Sequence, residues 1–256
     1  MDESKHVKIV IRGFDTKIRQ FRSRLYEIKE RKFASVLDAL IHIKEKRDAT
    51  VSFRYSCRMG ICGSCAMVIN GKPRLACETN VFKELESRDS IVVAPMEGHP
   101  ILKDLVNDFD DFFEDHKSVK PWLFRKDKKE KFAAKKEYKQ SEKERDGFLT
   151  FSECIKCGLC YDACPVVNTN RDFIGPQALS QAYRYYKDSR DQAGQSRLIE
   201  VDSLKGAWGC EFSGSCSKVC PKGVDPALAI QSLKFEIIKN GFLGKLNKPE
   251  QRIKKK

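Results

Sequence analysis

Cys154-Ile155-Lys156-Cys157-Gly158-Leu159-Cys160-Tyr161-Asp162-Ala163-Cys164-Pro165 holds four of the eleven cysteines of this 256-residue chain. The spacing is C-x2-C-x2-C-x3-C-P, the run that ligates cubane-type iron-sulfur clusters in bacterial ferredoxins. Cys154, Cys157 and Cys160 can reach three irons of one cubane, while the next turn carries Cys164 away to a different cluster. Downstream, Cys210-Glu211-Phe212-Ser213-Gly214-Ser215-Cys216-Ser217-Lys218-Val219-Cys220-Pro221 also ends in Cys-Pro. By the same exchange of ligands, Cys220 should return to complete the first cubane.

That count leaves one 4Fe-4S cluster with Cys154, Cys157, Cys160 and Cys220. A second centre has only Cys164, Cys210 and Cys216, and its simplest form is a 3Fe-4S cluster. A 4Fe-4S cluster with Ser213 or a small ligand on the fourth iron is the alternative, and it requires a hydroxyl to lose a much less acidic proton. A separate array, Cys57-Arg58-Met59-Gly60-Ile61-Cys62-Gly63-Ser64-Cys65 with Cys77 beyond it, has the C-x4-C-x2-C spacing of plant-type 2Fe-2S centres. Gly60 and Gly63 allow the backbone to approach, so that N-H groups can point at sulfur. The competing reading is a zinc site. Structural zinc usually pairs two C-x2-C knuckles, and this array has one.

The totals narrow the function classes. No apolar run approaches the roughly 18 residues of a membrane span, and the start, MDESKHVKIVIRG, lacks the features of a secretory signal or an organellar presequence. A reducing compartment is therefore expected, which disfavours disulfides, as does an odd cysteine count. The net charge is +13. It is concentrated in residues 117–146, with 12 Lys/Arg against 6 Asp/Glu, and in residues 239–256, with 7 against 1. The nearly neutral remainder suits a core embedded among partners and argues against nucleic-acid binding. The four histidines, His6, His42, His99 and His116, stand outside the cysteine arrays, so no Cys-His nucleophile is suggested. No Gly-rich phosphate loop is present, which places any flavin or nucleotide on another polypeptide.

Local patterns predict an α+β first half. Val7–Ile11 and Leu25–Ile28 read as paired strands with Gly13 and Asp15 between them, and Ala66–Ile69 and Ile91–Val93 as further strands. A turn is expected at Asn70-Gly71-Lys72-Pro73. Ser35 is the expected N-cap of a helix with Val36, Leu37, Leu40, Ile41 and Ile43 on one stripe. A second helix is expected from Pro100 to near His116. Beyond Phe148 the pattern is all-α, with helices opened by Gly175-Pro176 and Asp225-Pro226.

The three arrays, in the order SCRMGICGSC, CIKCGLCYDACP and CEFSGSCSKVCPKGVDPALAIQ, resemble the iron-sulfur subunit of succinate dehydrogenase or fumarate reductase over nearly the whole chain. Val119-Lys120-Pro121-Trp122-Leu123, Phe173-Ile174-Gly175-Pro176 and Asp188-Ser189-Arg190-Asp191 also match that family. The Lys-rich insert after Leu123 and the basic C-terminal tail do not.

The resemblance implies a β-grasp, plant-type 2Fe-2S ferredoxin domain over residues 1–109. A basic connector (110–146), an all-α bacterial-ferredoxin-like domain with the 4Fe-4S and 3Fe-4S clusters (147–241) and a basic tail (242–256) would follow. The chain would be the electron-transfer subunit of an oxidoreductase, passing electrons between FAD on a flavoprotein subunit and quinone at a membrane anchor. It would sit peripherally on the cytoplasmic face of a prokaryotic cell membrane. The third loop carries Glu211 where many succinate dehydrogenases carry His, and Val166-Val167-Asn168-Thr169 where they carry a Trp. Both features are more similar to the bacterial fumarate reductase version, in which Lys234 would lie near the quinone. A related subunit that serves another flavoprotein and a thiol or soluble acceptor is the alternative reading.

Overall fold

In the computed structural model the described residues are 6–28, 34–126 and 137–241; most of the Lys-rich insert and the whole expected tail lie outside them. Strand β1 (Val7–Asp15) alternates a buried Val7, Ile9 and Ile11 with less buried neighbours, the period-two pattern of a strand with one face on a core. It pairs antiparallel with β2 (Gln20–Ile28) from Val7↔Ile28 to Asp15↔Gln20. Strands β3 (Ala66–Ile69), β4 (Lys72–Leu75) and β5 (Ile91–Ala94) complete a sheet of order β2-β1-β5-β3-β4. β1 and β5 run parallel, and the remaining pairs are antiparallel.

Helix α1 (Val36–Lys46) covers this sheet with Val36, Leu37, Ala39, Leu40 and Ile43. Ser35 caps it as expected: its hydroxyl accepts from Asp38 N-H at 3.2 Å, and the Asp38 carboxylate accepts from Ser35 N-H at 3.1 Å. Such a reciprocal box satisfies two otherwise orphaned donors. The mixed sheet grasping one helix is the β-grasp expected of the first half.

Three local expectations are corrected. β1 and β2 are each nine residues long, so Gly13 and Asp15 lie within a strand and only 16–19 turn. A Cβ at Gly13 would come within 2.7 Å of the Asp104 carboxylate, which explains a glycine inside this strand. Lys72 and Pro73 belong to β4, so the turn is only Asn70 and Gly71, both with positive φ. Pro73 is tolerated because β4 is an edge strand.

The expected helix from Pro100 is instead a two-stranded ribbon, β6 (Ile101–Lys103) and β7 (Val106–Asn107). Long-range hydrogen bonds win over the apolar spacing there. Asp104 turns the ribbon in a left-handed conformation, φ 48°, and its carboxylate accepts from Arg24 at 2.5 Å and from Ser52 N-H at 3.0 Å. The buried Asn107 amide accepts from Met96 N-H and donates to Met96 C=O. The helix begins only afterwards, as α3 (Asp110–Ser118), the short α2 (Val81–Leu85) lying between β4 and β5.

Between residues 137 and 241 the described elements are helical, as expected. The short helices α4 (Glu142–Asp146), α5 (Leu149–Ser152), α6 (Leu159–Asp162) and α7 (Pro165–Thr169) precede α8 (Gly175–Lys187). They are followed by α9 (Gln195–Val201), α10 (Ser215–Lys218) and α11 (Pro226–Lys239). Pro176 and Pro226 stand in the first turns of α8 and α11, and the Asp225 carboxylate caps α11 by accepting from Leu228 N-H at 2.9 Å. α8 and α11 pack together through a second core that includes Leu179, Ala182, Ile230, Leu233 and Ile237, and Phe112 of α3 joins it.

The two halves share packing at the cysteine loops. Leu159 of α6 is fully buried in the first core, with Ile155, Cys157 and Val219 against it. His99 stacks on Phe109 and leans on Tyr161, with ring centroids 4.6 and 4.9 Å apart, and its Nε2-H donates to Gly158 C=O at 3.3 Å.

Arg197 fastens the Val119-Lys120-Pro121-Trp122 landmark to the helices. Its guanidinium donates to the carbonyls of Val119, Lys120 and Trp122 and makes a two-point bond to Asp191 at 3.0 and 2.7 Å. Both side chains of this pair are buried. Arg197→Ala would leave the buried Asp191 carboxylate without its counter-charge and take a donor from three carbonyls, and is expected to destabilise the protein by about 3–5 kcal/mol. Urea denaturation followed by circular dichroism checks this.

Candidate metal centres

All eleven cysteines are free thiols. Cys65 directly precedes β3 and Cys77 follows β4, so the hairpin fixes two of the four thiols of the first array. The loop between Cys57 and Cys65 turns through left-handed positions at Arg58, Gly60 and Gly63. Those turns aim N-H groups at sulfur. Cys57 Sγ accepts from the N-H groups of Met59, Ile61 and Cys62 at 3.5, 3.3 and 3.2 Å, and Cys77 Sγ accepts from Gly60 at 3.3 Å. A Cβ at Gly60 would overlap the Glu78 carboxylate.

The thiols of this array are electrostatically unequal. Burial raises the Cys62 thiol, but hydrogen bonds from Ser64 and Cys57 outweigh it and bring the pKa down to about 6. Burial, with Cys77 alongside, pushes Cys65 up to about 12. A loop whose backbone already solvates sulfur, carrying four thiols from two sides, fits a 2Fe-2S cluster.

The helical half brings its seven thiols into two sets. Cys154, Cys157, Cys160 and Cys220 line one small cavity. Burial raises Cys154 and pushes Cys157 to about 12, and Cys220 adds to both; Cys160 is also raised, by burial and then by Cys154, Cys157, Cys216 and Cys220. In the other set, burial raises Cys164 with Cys210 and Glu211 adding to it, and burial pushes Cys216 up to about 11 with Cys164 and Cys210 adding. Buried thiols that repel one another's charge resist ionisation unless cations lie between them, and this donor chemistry fits iron clusters.

The backbone repeats between the two loops. Lys156 and Gly158 are left-handed in the first, at φ 55° and 80°; Phe212 and Gly214 are left-handed in the second, at 58° and 71°. Each loop then enters a one-turn helix, α6 or α10, and ends in Cys-Pro. In this repeat Ser213 stands where the first loop has Cys157. The paired Cys-Pro endings were the visible sign of the repeat; the matching dihedrals required coordinates.

The sets are also contiguous. A Cβ at Gly63 would lie 2.8 Å from Cys157 Cβ and 3.0 Å from its Cα, so the first loop abuts the second. Helix α6, which carries Cys160, in turn packs on α10, which carries Cys216 of the third group.

Lys234 donates from Nζ to Cys210 C=O at 2.8 Å and lies 5.9 Å from the Trp208 ring centre. Gln231 Nε2 stands 3.9 Å from Cys210 Sγ. Sequence reasoning missed three residues at the second set, namely His116, Gln177 and Ser180. Gln177 Nε2 donates to His116 Nδ1 at 3.2 Å and approaches Cys154 Sγ at 3.9 Å. Burial, with Lys156 nearby, lowers the His116 pKa to about 4, so its ring is a neutral acceptor. The one available signal was two polar residues three apart on a helix flanked by apolar positions.

Two domain families match the chain: a 2Fe-2S iron-sulfur cluster binding domain over residues 8–114 and a 4Fe-4S dicluster domain over residues 150–224. A fumarate reductase iron-sulfur subunit from Mycobacterium tuberculosis is 48% identical over 210 residues, covering 82% of this chain and 83% of that protein. The subunit of the same name from Escherichia coli O6:H1 is 39% identical over 247 residues, 96% and 99% of the two chains. A chain of the Mycobacterium smegmatis Sdh1 complex in the apo form has a similar fold, with a TM-score of 0.80 at 22% identity, covering 93% of this chain and 98% of that one.

The contact at Gly63 can be isolated. Gly63→Ala and Gly71→Ala both place a side chain at φ near 75°, a cost of about 1–2 kcal/mol. Only Gly63 has a neighbour within reach, since a Cβ at Gly71 meets nothing within 4 Å. Gly63→Ala is therefore expected to lower the thermal midpoint more than Gly71→Ala does, and calorimetry of the two variants measures the difference.

Proposed function

The chain belongs to the family of iron-sulfur subunits of fumarate reductase and succinate dehydrogenase, and on that footing we propose that it holds three clusters in series between a flavoprotein and a quinone. The single observation that carries this reading is the contiguity of the three thiol sets, from Gly63 against Cys157 to the packing of α6, which carries Cys160, on α10, which carries Cys216. Bound clusters supply one-electron carriers. The work of this chain is to hold them close, exclude water and tune them through ligation and hydrogen bonds.

In this proposal Cys57, Cys62, Cys65 and Cys77 ligate the 2Fe-2S cluster. Cys154, Cys157, Cys160 and Cys220 ligate a 4Fe-4S cluster, and Cys164, Cys210 and Cys216 ligate a 3Fe-4S cluster. The backbone repeat supports the last assignment, because it puts Ser213 at the position of the missing fourth thiol. The chain would divide into units at 1–109 and 147–241 joined by the connector 110–146, whose helix α3 packs through Phe112 on the helical core.

Both ends of the series reach the surface. Beside the first array Met59 and Ile61 are exposed, with Arg58 over the Tyr55 ring, and this end would meet the FAD-bearing flavoprotein. At the other end Phe212, Leu228, Phe235 and Ile238 are exposed, and the last three share one face of α11. That end would meet a membrane anchor, with Lys234 near the quinone, and would hold the chain at the cytoplasmic membrane face. No helix among the described residues is long and apolar enough to cross a membrane.

The test is purification of the chain with its flavoprotein and anchor partners, followed by assay of succinate-dependent quinone reduction and its reverse. Activity that needs this chain supports the proposal; isolation with a flavoprotein that reduces only soluble acceptors overturns it. Ser213→Cys is expected to convert the third cluster towards 4Fe-4S and to lower its potential, read as loss of the three-iron resonance from the oxidised protein.

A further inference from the structure

The cavity lined by Cys154, Cys157, Cys160 and Cys220 also contains Gln177 and Ser180, three residues apart on α8 and therefore on one face of it. Ser180 is 1% exposed, and its Oγ has no hydrogen-bond partner. A serine inside a helix ordinarily turns its hydroxyl back to the carbonyl four residues earlier. Ser180 makes no such bond. An unpaired buried hydroxyl costs about 1–3 kcal/mol, so its position calls for an acceptor that the polypeptide alone does not supply. Gln177, 2% exposed, directs Nε2 between His116 Nδ1 and Cys154 Sγ. The side-chain acceptors that line this cavity are its four sulfurs and Gln177 Oε1, which also has no partner.

We propose that Ser180 and Gln177 donate hydrogen bonds to sulfur of the 4Fe-4S cluster, Ser180 through its otherwise unpaired hydroxyl and Gln177 towards the Cys154 thiolate, and thereby raise the reduction potential of that cluster. The inference rests on the assignment of those four cysteines to one 4Fe-4S cluster. A donor to sulfur stabilises the reduced cluster more than the oxidised one, because reduction adds one electron and so one negative charge, with no bond made or broken. The two residues are thus tuning groups of the second cluster and leave the first and third unaffected.

The experiment is a potentiometric titration of the intact complex, followed by electron paramagnetic resonance, for the wild type, Ser180→Ala, Ser180→Thr and Gln177→Met. Ser180→Ala is expected to lower the midpoint of the second cluster alone, by a several-fold change in its reduction equilibrium constant, where tenfold corresponds to about 59 mV for one electron. Ser180→Thr keeps the hydroxyl and is expected to restore the wild-type value. Gln177→Met removes the amide donor and is expected to lower the midpoint independently. A second-cluster midpoint in Ser180→Ala that is unchanged or raised, with the cluster intact, overturns the assignment of Ser180; an unmoved midpoint in Gln177→Met overturns that of Gln177. Absence of a 4Fe-4S signal from the wild type would refute the underlying ligand assignment instead, before any variant is compared.

Discussion

Seven thiols gathered into two neighbouring sets are the constraint on which the helical half depends. Burial opposes ionisation of Cys154, Cys157, Cys160, Cys164 and Cys216, and neighbouring thiolates add to it, in loops that contain little regular structure. Only cations can reconcile that arrangement with thiolate ligation, because a metal inverts the local preference for the neutral group. Binding free energy and folding free energy are then one quantity. Left-handed residues at Lys156, Gly158, Phe212 and Gly214 bend both loops in the same way.

The β-grasp half meets the demand differently. Its loop gains order from a hairpin that brings Cys65 and Cys77 together and from N-H groups directed at Cys57 and Cys77. The sheet and α1 form a rigid frame behind it, and Leu159 inserts into that frame from the other half. Gly63 and Cys157 can therefore approach to a distance that no side chain at position 63 would allow. Close contact between loops is the structural means by which one chain sets the spacing between successive electron carriers.

Cysteine spacing made the sites legible before any coordinates, because ligand identity is local and a C-x2-C-x2-C-x3-C-P run has few other uses. The capping box at Ser35 and the proline-opened helices at Pro176 and Pro226 were legible for the same reason: each is decided within one turn. The ribbon at 101–107 was not, since it exists through Asp104 and Asn107, whose partners Arg24, Ser52 and Met96 lie far away in sequence or across a loop. The full length of β1 and β2 was hidden by arginines, Gly13 and Asp15, which break the apolar alternation although the pairing continues. Gln177 and Ser180 escaped notice because a polar residue on a helix is solvated by default; only their burial and the unpaired Gln177 Oε1 and Ser180 Oγ set them apart.

The central claim is that the seven thiols divide four and three, with Cys220 returning to the first loop. Mössbauer spectroscopy of the intact, oxidised, iron-enriched protein tests it most directly. The account requires a paramagnetic three-iron component beside diamagnetic two-iron and four-iron components. Two four-iron components without a three-iron one, or zinc in the place of iron, would contradict it.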